Sequence, residues 1–361
     1  MIEIFTYRLP FLKPFVTGSE VFHYREGVFI RYSDEYIEVI SEAAPLPGFS
    51  HESLEEVITA VRDQKESLES FFSESYSLNE LRIFLKQLPN LPSLQFALSF
   101  LGIQIISERN QHSLFDLFEV SRPSKILVND VLPIQNLDET IDHFKKSYDK
   151  GFRTFKIKSG FPVHQLIKTL KALSDTAEQN CKFRIDANRS WPADDFSGII
   201  KQLEDFNIEY IEEPHHSTDI QSLTNTIQNS TIPIALDESI INIEHLKKLL
   251  KKLPETVIVI KPMILGNLFD LFETIDLHRT HFNKIVVTTA LESSIGRKSI
   301  ASVASLIGAS NMAHGLNTGR FFETDLSREN FISDGRLKLP LSGFYSTQIA
   351  NLNSAIYQSA D

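Results

Sequence analysis

The chain has 361 residues, 42% of them apolar and 23% charged. These are ordinary globular values that disfavour a disordered polymer and leave room for one barrel plus a smaller lobe. Its formal net charge of −11 repels phosphate backbones, and no dense Lys/Arg stripe with interleaved aromatics offsets it, so nucleic acid is not an expected partner. The single cysteine, Cys181, excludes an internal disulfide, and no stretch approaches the roughly 18 uninterrupted apolar residues of a membrane span.

The N-terminus, Met1-Ile2-Glu3-Ile4-Phe5, alternates like a strand and has neither the basic flank nor the apolar core of a signal peptide, so a cytoplasmic location is expected. Two more alternating runs, Gly27–Tyr32 and Tyr36–Ile40, read as antiparallel strands. The turn-rich Pro45-Leu46-Pro47-Gly48-Phe49-Ser50 then leads into helical patterns, including Leu54–Val61 and Ser93–Leu101. Strands first and helices second indicate a small α+β lobe over residues 1–122, and the C-terminal segment 326–361 is assigned to the same lobe.

From residue 123 to about 325 the texture changes. Short β-branched runs alternate with amphipathic helical segments: Ile126–Val128, Phe155–Lys158, Phe183–Asp186, Glu209–Glu212, Ile234–Asp237, Val257–Lys261, Ile285–Thr288 and a weak last run at Ala313–Leu316. Their ends recur every 24 to 28 residues, which is what one strand, one helix and two short loops require. Eight such rungs predict a parallel (β/α)8 barrel of the TIM type. An open doubly wound sheet lacks support, because no glycine-rich phosphate turn follows an early strand. Cys181 stands just ahead of an apolar run, and packing at a strand start is its expected role.

Buried parallel strands are normally runs of Val, Ile and Leu. Five consecutive rungs here end in charge instead: Lys158, Asp186, Glu212, Asp237 and Lys261. The C-terminal strand ends of such a barrel build its active site, so two cations and three carboxylates converge on one mouth. Three hard oxygen ligands on adjacent rungs suit Mg²⁺. Glu213 competes with Glu212 for the inward position, since alternation lets only one of them point in. His215 and His216 read as loop residues near the mouth. The lysines fall on rungs two and six, opposite each other in a ring of eight. Lys156 lies two residues before Lys158 on the same face, and like-charge repulsion between them is expected to make Lys158 a usable base near neutral pH. The chemistry expected is loss of a proton α to a carboxylate to a lysine, with Mg²⁺ stabilising the charge that develops.

Lys156-Ile157-Lys158, Asp186-Ala187-Asn188, Ile211-Glu212-Glu213-Pro214, Leu236-Asp237-Glu238-Ser239 and Ile260-Lys261-Pro262 together resemble the muconate-lactonising branch of the enolase superfamily. A lysine base with Mg²⁺ is named for that superfamily in general accounts of enzyme catalysis. The segments Glu42–Glu52 and Glu292-Ser293-Ser294-Ile295-Gly296 look like its o-succinylbenzoate synthases. The resemblance implies an N-terminal lobe that caps the barrel mouth, with loops near residues 13–25 and 45–52 over the substrate. It implies Lys158 as acid/base residue, Lys261 as second lysine, Lys156 beside them, and Asp186, Glu212 and Asp237 as ligands of Mg²⁺, with Mn²⁺ as a substitute. Candidate contacts to the small-molecule carboxylate substrate are Arg184, Asn188, Thr288, Ser293 and Phe49. The implied reaction is dehydration of 2-succinyl-6-hydroxy-2,4-cyclohexadiene-1-carboxylate to o-succinylbenzoate in menaquinone synthesis. Racemases and epimerases of N-acylamino acids or dipeptides use the same metal and both lysines. The Asp-x-Asp that dipeptide epimerases often carry on the eighth strand is replaced here by Gly315-Leu316-Asn317-Thr318, which favours the synthase.

Overall fold

The computed structural model describes residues 1–16, 21–132, 136–159, 162–176, 180–217, 219–278, 284–308, 312–326, 331–338 and 357–359. The part of the expected capping loop at 17–20 lies outside them, as do 327–330, 339–356 and 360–361 of the C-terminal segment.

The first lobe is an antiparallel sheet backed by helices. Strands β1 (Ile2–Val16), β2 (Val21–Ser33) and β3 (Glu38–Ala43) pair in chain order, with Phe5 opposite Phe29 and Ile30 opposite Ser41. Strand β3 starts two residues later than the alternation at Tyr36 predicts. The Asp34 carboxylate accepts the backbone N–H groups of Tyr36 and Ile37, both at 2.9 Å, and holds that pair in a turn. Helices α1 (Leu54–Asp63), α2 (Lys65–Ser73), α3 (Leu78–Leu85), α4 (Pro92–Asn110) and α5 (Leu114–Leu117) follow. Ser53 with Glu56, and Ser77 with Glu80, form reciprocal caps that fix the starts of α1 and α3. Helix α4 starts at Pro92 and is buried from Ser93 to Ile106, because it packs between β3 and the second lobe.

The second lobe is the expected ladder: β4 (Asp130–Leu132), α6 (Leu137–Asp149), β5 (Thr154–Lys158), α7 (His164–Thr176), β6 (Lys182–Asp186), α8 (Phe196–Leu203), β7 (Ile208–Glu212), α9 (Ile220–Gln228), β8 (Ile234–Leu236), α10 (Ile243–Lys252), β9 (Val257–Ile260), α11 (Pro262–Leu265), α12 (Leu268–Asp276), β10 (Ile285–Val287) and α13 (Ser294–Ile307). The seven strands are parallel and ordered β4 to β10. Parallel bridges from Val128 to His314 and from Thr288 to Gly315 place the eighth rung between β10 and β4 and close the ring. The first strand lies after the predicted Ile126–Val128. That run joins the eighth rung through Val128 and His314 on one side, and on the other Leu337 N–H donates to Ile126 O and Val128 N–H to Gly335 O in the hairpin of β11 (Ile332–Ser333) and β12 (Arg336–Leu337). Strand β13 (Tyr357–Ser359) pairs antiparallel with β1. The main apolar core is continuous from Ile2 and Val39 in the first lobe to Leu268 and Leu337 in the second, and Cys181 is buried in it. The molecule is a modified (β/α)8 barrel with an N-terminal α+β cap. Among the described residues no helix is long and apolar enough to cross a membrane.

Candidate active site

Parallel pairing sets the charged residues side by side. Lys158 is in register with Asp186, and Asp186 with Glu212, so three neighbouring strands deliver one layer of charge at their C-terminal ends. Asp237 follows β8 directly and Lys261 follows β9. With Lys156 they line a single cavity of about 1300 Å³ at the barrel mouth. Backbone at Asn188, Glu213 and Leu291, just beyond the third, fourth and seventh strands, is left-handed with φ of 43°, 42° and 64°. Such conformations persist only where surrounding structure enforces them.

At Glu213 the enforcement is visible. Its carboxylate accepts Asp237 N–H at 3.0 Å, Ser239 N–H at 2.7 Å, Ser239 Oγ at 3.0 Å and Arg189 Nε at 3.0 Å. Glu213 therefore braces the neighbouring strand end, and Glu212 is the one that lines the cavity. The loop histidine His215 is buried against Thr226 and the Phe196 ring, away from the cavity.

The electrostatics separate the two sides of the mouth. Lys156 Nζ lies 2.8 and 2.9 Å from the two Glu212 oxygens and 2.9 Å from Asp186, and Lys261 is paired with Asp237. Burial alone would lower both ammonium groups, but Asp186 and Glu212 outweigh it at Lys156, and Asp237 and Glu238 at Lys261, so both are raised. Lys158 differs. No carboxylate pairs with it among the described residues, and burial pushes it below the ordinary lysine value. Asp186 opposes that shift, and Lys156 and Lys261 add to it. The expected repulsion from Lys156 is thus present but secondary to burial, and Lys156 itself is the counter-ion of two acids. Burial would raise Asp186, yet Lys156 and Lys158 hold it down. Glu212 goes the other way: burial raises it, Lys156 opposes, and the neighbouring Asp186 and Asp237 carboxylates raise it further.

The first lobe covers both lysines with rings. Phe15 of β1 lies 4.8 Å from Lys158 Nζ, and Phe49 lies 5.2 Å from Lys261 Nζ. Phe49, Asn188 and Thr288, three of the candidate substrate contacts, line the cavity. Asn188 also donates to Glu238 at 3.0 Å, and Thr288 Oγ1 to Gly315 O at 3.1 Å.

Two expected contacts are corrected. Arg184 shares the inward face with Asp186 but is wholly buried below the site, bonded to Glu209 at 2.7 Å, Asn129 at 3.1 Å and Ala313 O at 2.7 Å, with the Tyr210 ring against it. Ser293 caps α13 and donates to the buried Glu42 carboxylate of the first lobe, so it belongs to the joint between lobes. Phe15, Glu238 and Arg320, none of them singled out as a site residue from the sequence, also line the cavity, Phe15 within the expected capping segment 13–25. Arg320 carried no signal, whereas Glu238 carried one as a second acid directly after Asp237. Burial and the Asp237 charge raise it to about 7.

The donor set of Asp186, Glu212 and Asp237 fits a hard divalent cation such as Mg²⁺. The upward push on Glu212 from its two neighbours is the repulsion that a cation relieves. Lys156 and Lys261 provide the neutralising charge in this structure, and among the described residues no three such side chains are drawn together around one point.

Comparison with known proteins agrees with the geometry. Residues 139–343 match the family described as "Enolase C-terminal domain-like", and residues 1–104 match "MenC, N-terminal domain". An L-amino acid-D/L-Glu epimerase of Francisella philomiragia is 28% identical over 181 residues, 49% of this chain and 51% of that protein. The chain thus spans about half the length of that curated relative. An o-succinylbenzoate synthase of Thermosynechococcus vestitus is 25% identical over 299 residues, 81% of this chain and 85% of that protein. Among solved structures, muconate lactonizing enzyme from Pseudomonas fluorescens superposes with a TM-score of 0.84 at 18% identity, covering 99% of this chain and 98% of that one. The o-succinylbenzoate synthase from Thermosynechococcus elongatus, complexed with Mg in its active site, gives 0.71 at 23% identity, covering 97% and 98%. With more than half its length matched by that family and with this fold, the chain belongs to the enolase superfamily.

Proposed function

We propose that the protein is a Mg²⁺-dependent o-succinylbenzoate synthase, a carbon–oxygen lyase of menaquinone biosynthesis that removes water from 2-succinyl-6-hydroxy-2,4-cyclohexadiene-1-carboxylate. The observation that carries this reading is the inequality of the two opposed lysines. Lys158 stands without an acidic partner among the described residues, whereas Lys261 is tied to Asp237. That is one base and one fixed cation, which a syn elimination needs. The match of residues 1–104 to the MenC N-terminal domain supports the same choice.

Asp186, Glu212 and Asp237 would hold Mg²⁺, which when bound supplies positive charge beside the substrate carboxylate as its α-carbon gives up a proton. Lys158, its proton affinity lowered by burial, takes that proton at Nζ. The resulting ammonium returns the proton to the departing hydroxyl on the same face, so that the carbon–oxygen bond breaks and water leaves. Lys261 keeps its charge throughout and faces developing negative charge. Phe15 and Phe49 exclude bulk water from the two ammonium groups.

Lysines on both faces also suit a racemase or epimerase of N-acylamino acids or dipeptides, and epimerases are among the relatives. Purified protein with Mg²⁺ is offered the cyclohexadiene substrate and, separately in D₂O, N-acylamino acids and dipeptides. Formation of o-succinylbenzoate with slow amino-acid exchange is the expected result. Rapid exchange and inversion of an amino-acid substrate without any o-succinylbenzoate overturns the proposal in favour of the racemase.

A further inference from the structure

The cavity has carboxylates and their paired lysines at one end and an arginine at the other. Its carboxylates, Asp186, Glu212, Asp237 and Glu238, stand beyond the third, fourth and fifth strands. Half-way round the ring, beside the first and eighth strands, the wall is formed by Arg320, His143, Asn317 and Thr318. Arg320 belongs to the single turn Gly319–Phe321 and stacks at 5.0 Å on the Phe321 ring.

Among the described residues Arg320 pairs with one acid, Asp130, with an Nη2–Oδ1 distance of 3.2 Å, but Asp130 is 2% exposed and lies behind the wall. Its two oxygens already serve Ser147 at 2.5 Å, Asn317 at 2.9 Å and the His143 ring at 2.9 Å. The cavity therefore meets the guanidinium and not the carboxylate.

The guanidinium also has donor capacity left over. Arg320 Nη2 donates to Val131 O, while Nε is buried without a hydrogen-bond partner among the described residues. Nη1 lies 2.6 Å from His143 Nε2, the same ring nitrogen that lies 2.9 Å from Asp130 Oδ2. One ring nitrogen cannot both donate to Asp130 and accept from Arg320, so when it serves the acid a second Arg320 N–H lacks an acceptor. A fixed guanidinium edge with unmet donors, backed by a neutral amide and a hydroxyl, matches a carboxylate. An ammonium placed there meets no exposed acid among the described residues.

The geometry points to Arg320 as the anchor for a second carboxylate, at the end of a substrate tail remote from the reacting carbon. The preferred substrates are then dicarboxylates with a carboxylate-ended acyl tail, and free-amine dipeptides are disfavoured. This deepens the proposed reading, which supplies such a tail in its succinyl group.

Equilibrium binding in the presence of Mg²⁺ tests it without turnover, using o-succinylbenzoate and its methyl ester at the succinyl carboxyl. Wild type is expected to bind the diacid about ten- to a hundred-fold more tightly than the ester, the span of one charge-assisted contact. Arg320→Gln should remove that preference by weakening the diacid alone, and Arg320→Lys should retain part of it. Equal affinities in wild type, no binding of the diacid, or an undiminished preference in folded Arg320→Gln each overturns the inference. Wild type is judged on its own, so a variant that fails to fold leaves the test intact. Protein that forms no o-succinylbenzoate yet keeps an Arg320-dependent preference for the diacid refutes the assigned reaction and supports the anchor.

Discussion

Two regions of this molecule bury carboxylates completely, and they treat them in opposite ways. At the joint between lobes, Glu42 is 0% exposed and accepts the Tyr7 hydroxyl at 2.6 Å, Ser293 N–H at 3.0 Å, Gly296 N–H at 2.8 Å and the Ser293 hydroxyl. Four neutral donors, three of them at the start of α13, satisfy one charge, and the helix dipole favours it. At the barrel mouth Glu212 is equally buried, but it faces Asp186 and Asp237 with ammonium groups packed between. The joint settles Glu42 with neutral donors and keeps a single like-charge neighbour, Glu292, which burial and the Glu42 charge raise to about 7 while the Ala290 N–H opposes them. The mouth sets three carboxylates against one another with lysines between them, as active sites do when their groups serve chemistry more than stability.

The sharpest way to break this comparison is to remove charge at the mouth. Lys158→Ala is expected to lower turnover by at least about 10³-fold, within the range for loss of a positioned proton-transfer group, with the melting temperature unchanged or raised. Exhaustive chelation should likewise abolish turnover, and Mg²⁺ or Mn²⁺ should restore it. Cooperative unfolding of Lys158→Ala, or full activity in verified metal-free protein, would mean that the mouth is a structural cluster.

The reverse pattern is expected at the joint. Glu42→Ala leaves the Ser293, Gly296 and Tyr7 donors buried without an acceptor and should cost about 3 kcal/mol in denaturant unfolding, at roughly 1–3 kcal/mol for each group that water does not reach. Glu42→Gln should recover part of the loss. A Glu42→Ala protein as stable as wild type would erase the distinction between the two regions.

The smallest effect concerns the cap where it touches the mouth. Phe49→Ala removes the ring over Lys261 without opening the joint. It should raise KM or lower kcat by about ten-fold with little change in stability, as expected of a residue that closes a site. Unchanged kinetics in folded protein, or a large loss of stability, would assign Phe49 to packing.

Much of this organisation was readable in advance. The barrel was legible because strand, helix and two loops consume a nearly constant length, and its mouth because charges interrupt β-branched runs at five strand ends. Depth was not legible. Alternation correctly gives Arg184 and Asp186 one face, but two residues along a strand are about 7 Å, enough to drop Arg184 out of the cavity and beneath Tyr210. Lys156 starts equally low, yet its long side chain reaches Asp186 and Glu212. The choice between Glu212 and Glu213 was also beyond alternation, since it depends on a left-handed turn that the next strand end enforces.

The motifs at Glu42–Glu52 and Glu292–Gly296 show the same division. As sequence they are two separate segments about 250 residues apart, and Ser293 reads as a substrate contact. In the fold they are two halves of one joint, because the Glu42 carboxylate needs the N–H groups that the first turn of α13 leaves free. The sequence by itself determined the ladder, the charged layer and the types of group at the mouth, since each follows from local period and composition. Tertiary structure alone decided which lysine is left without an acid, which acid braces a neighbouring strand, and that Arg320 faces the cavity while Asp130 hides behind it. Those outcomes depend on how far each side chain reaches and what it meets, and neither distance is written in the order of residues along the chain.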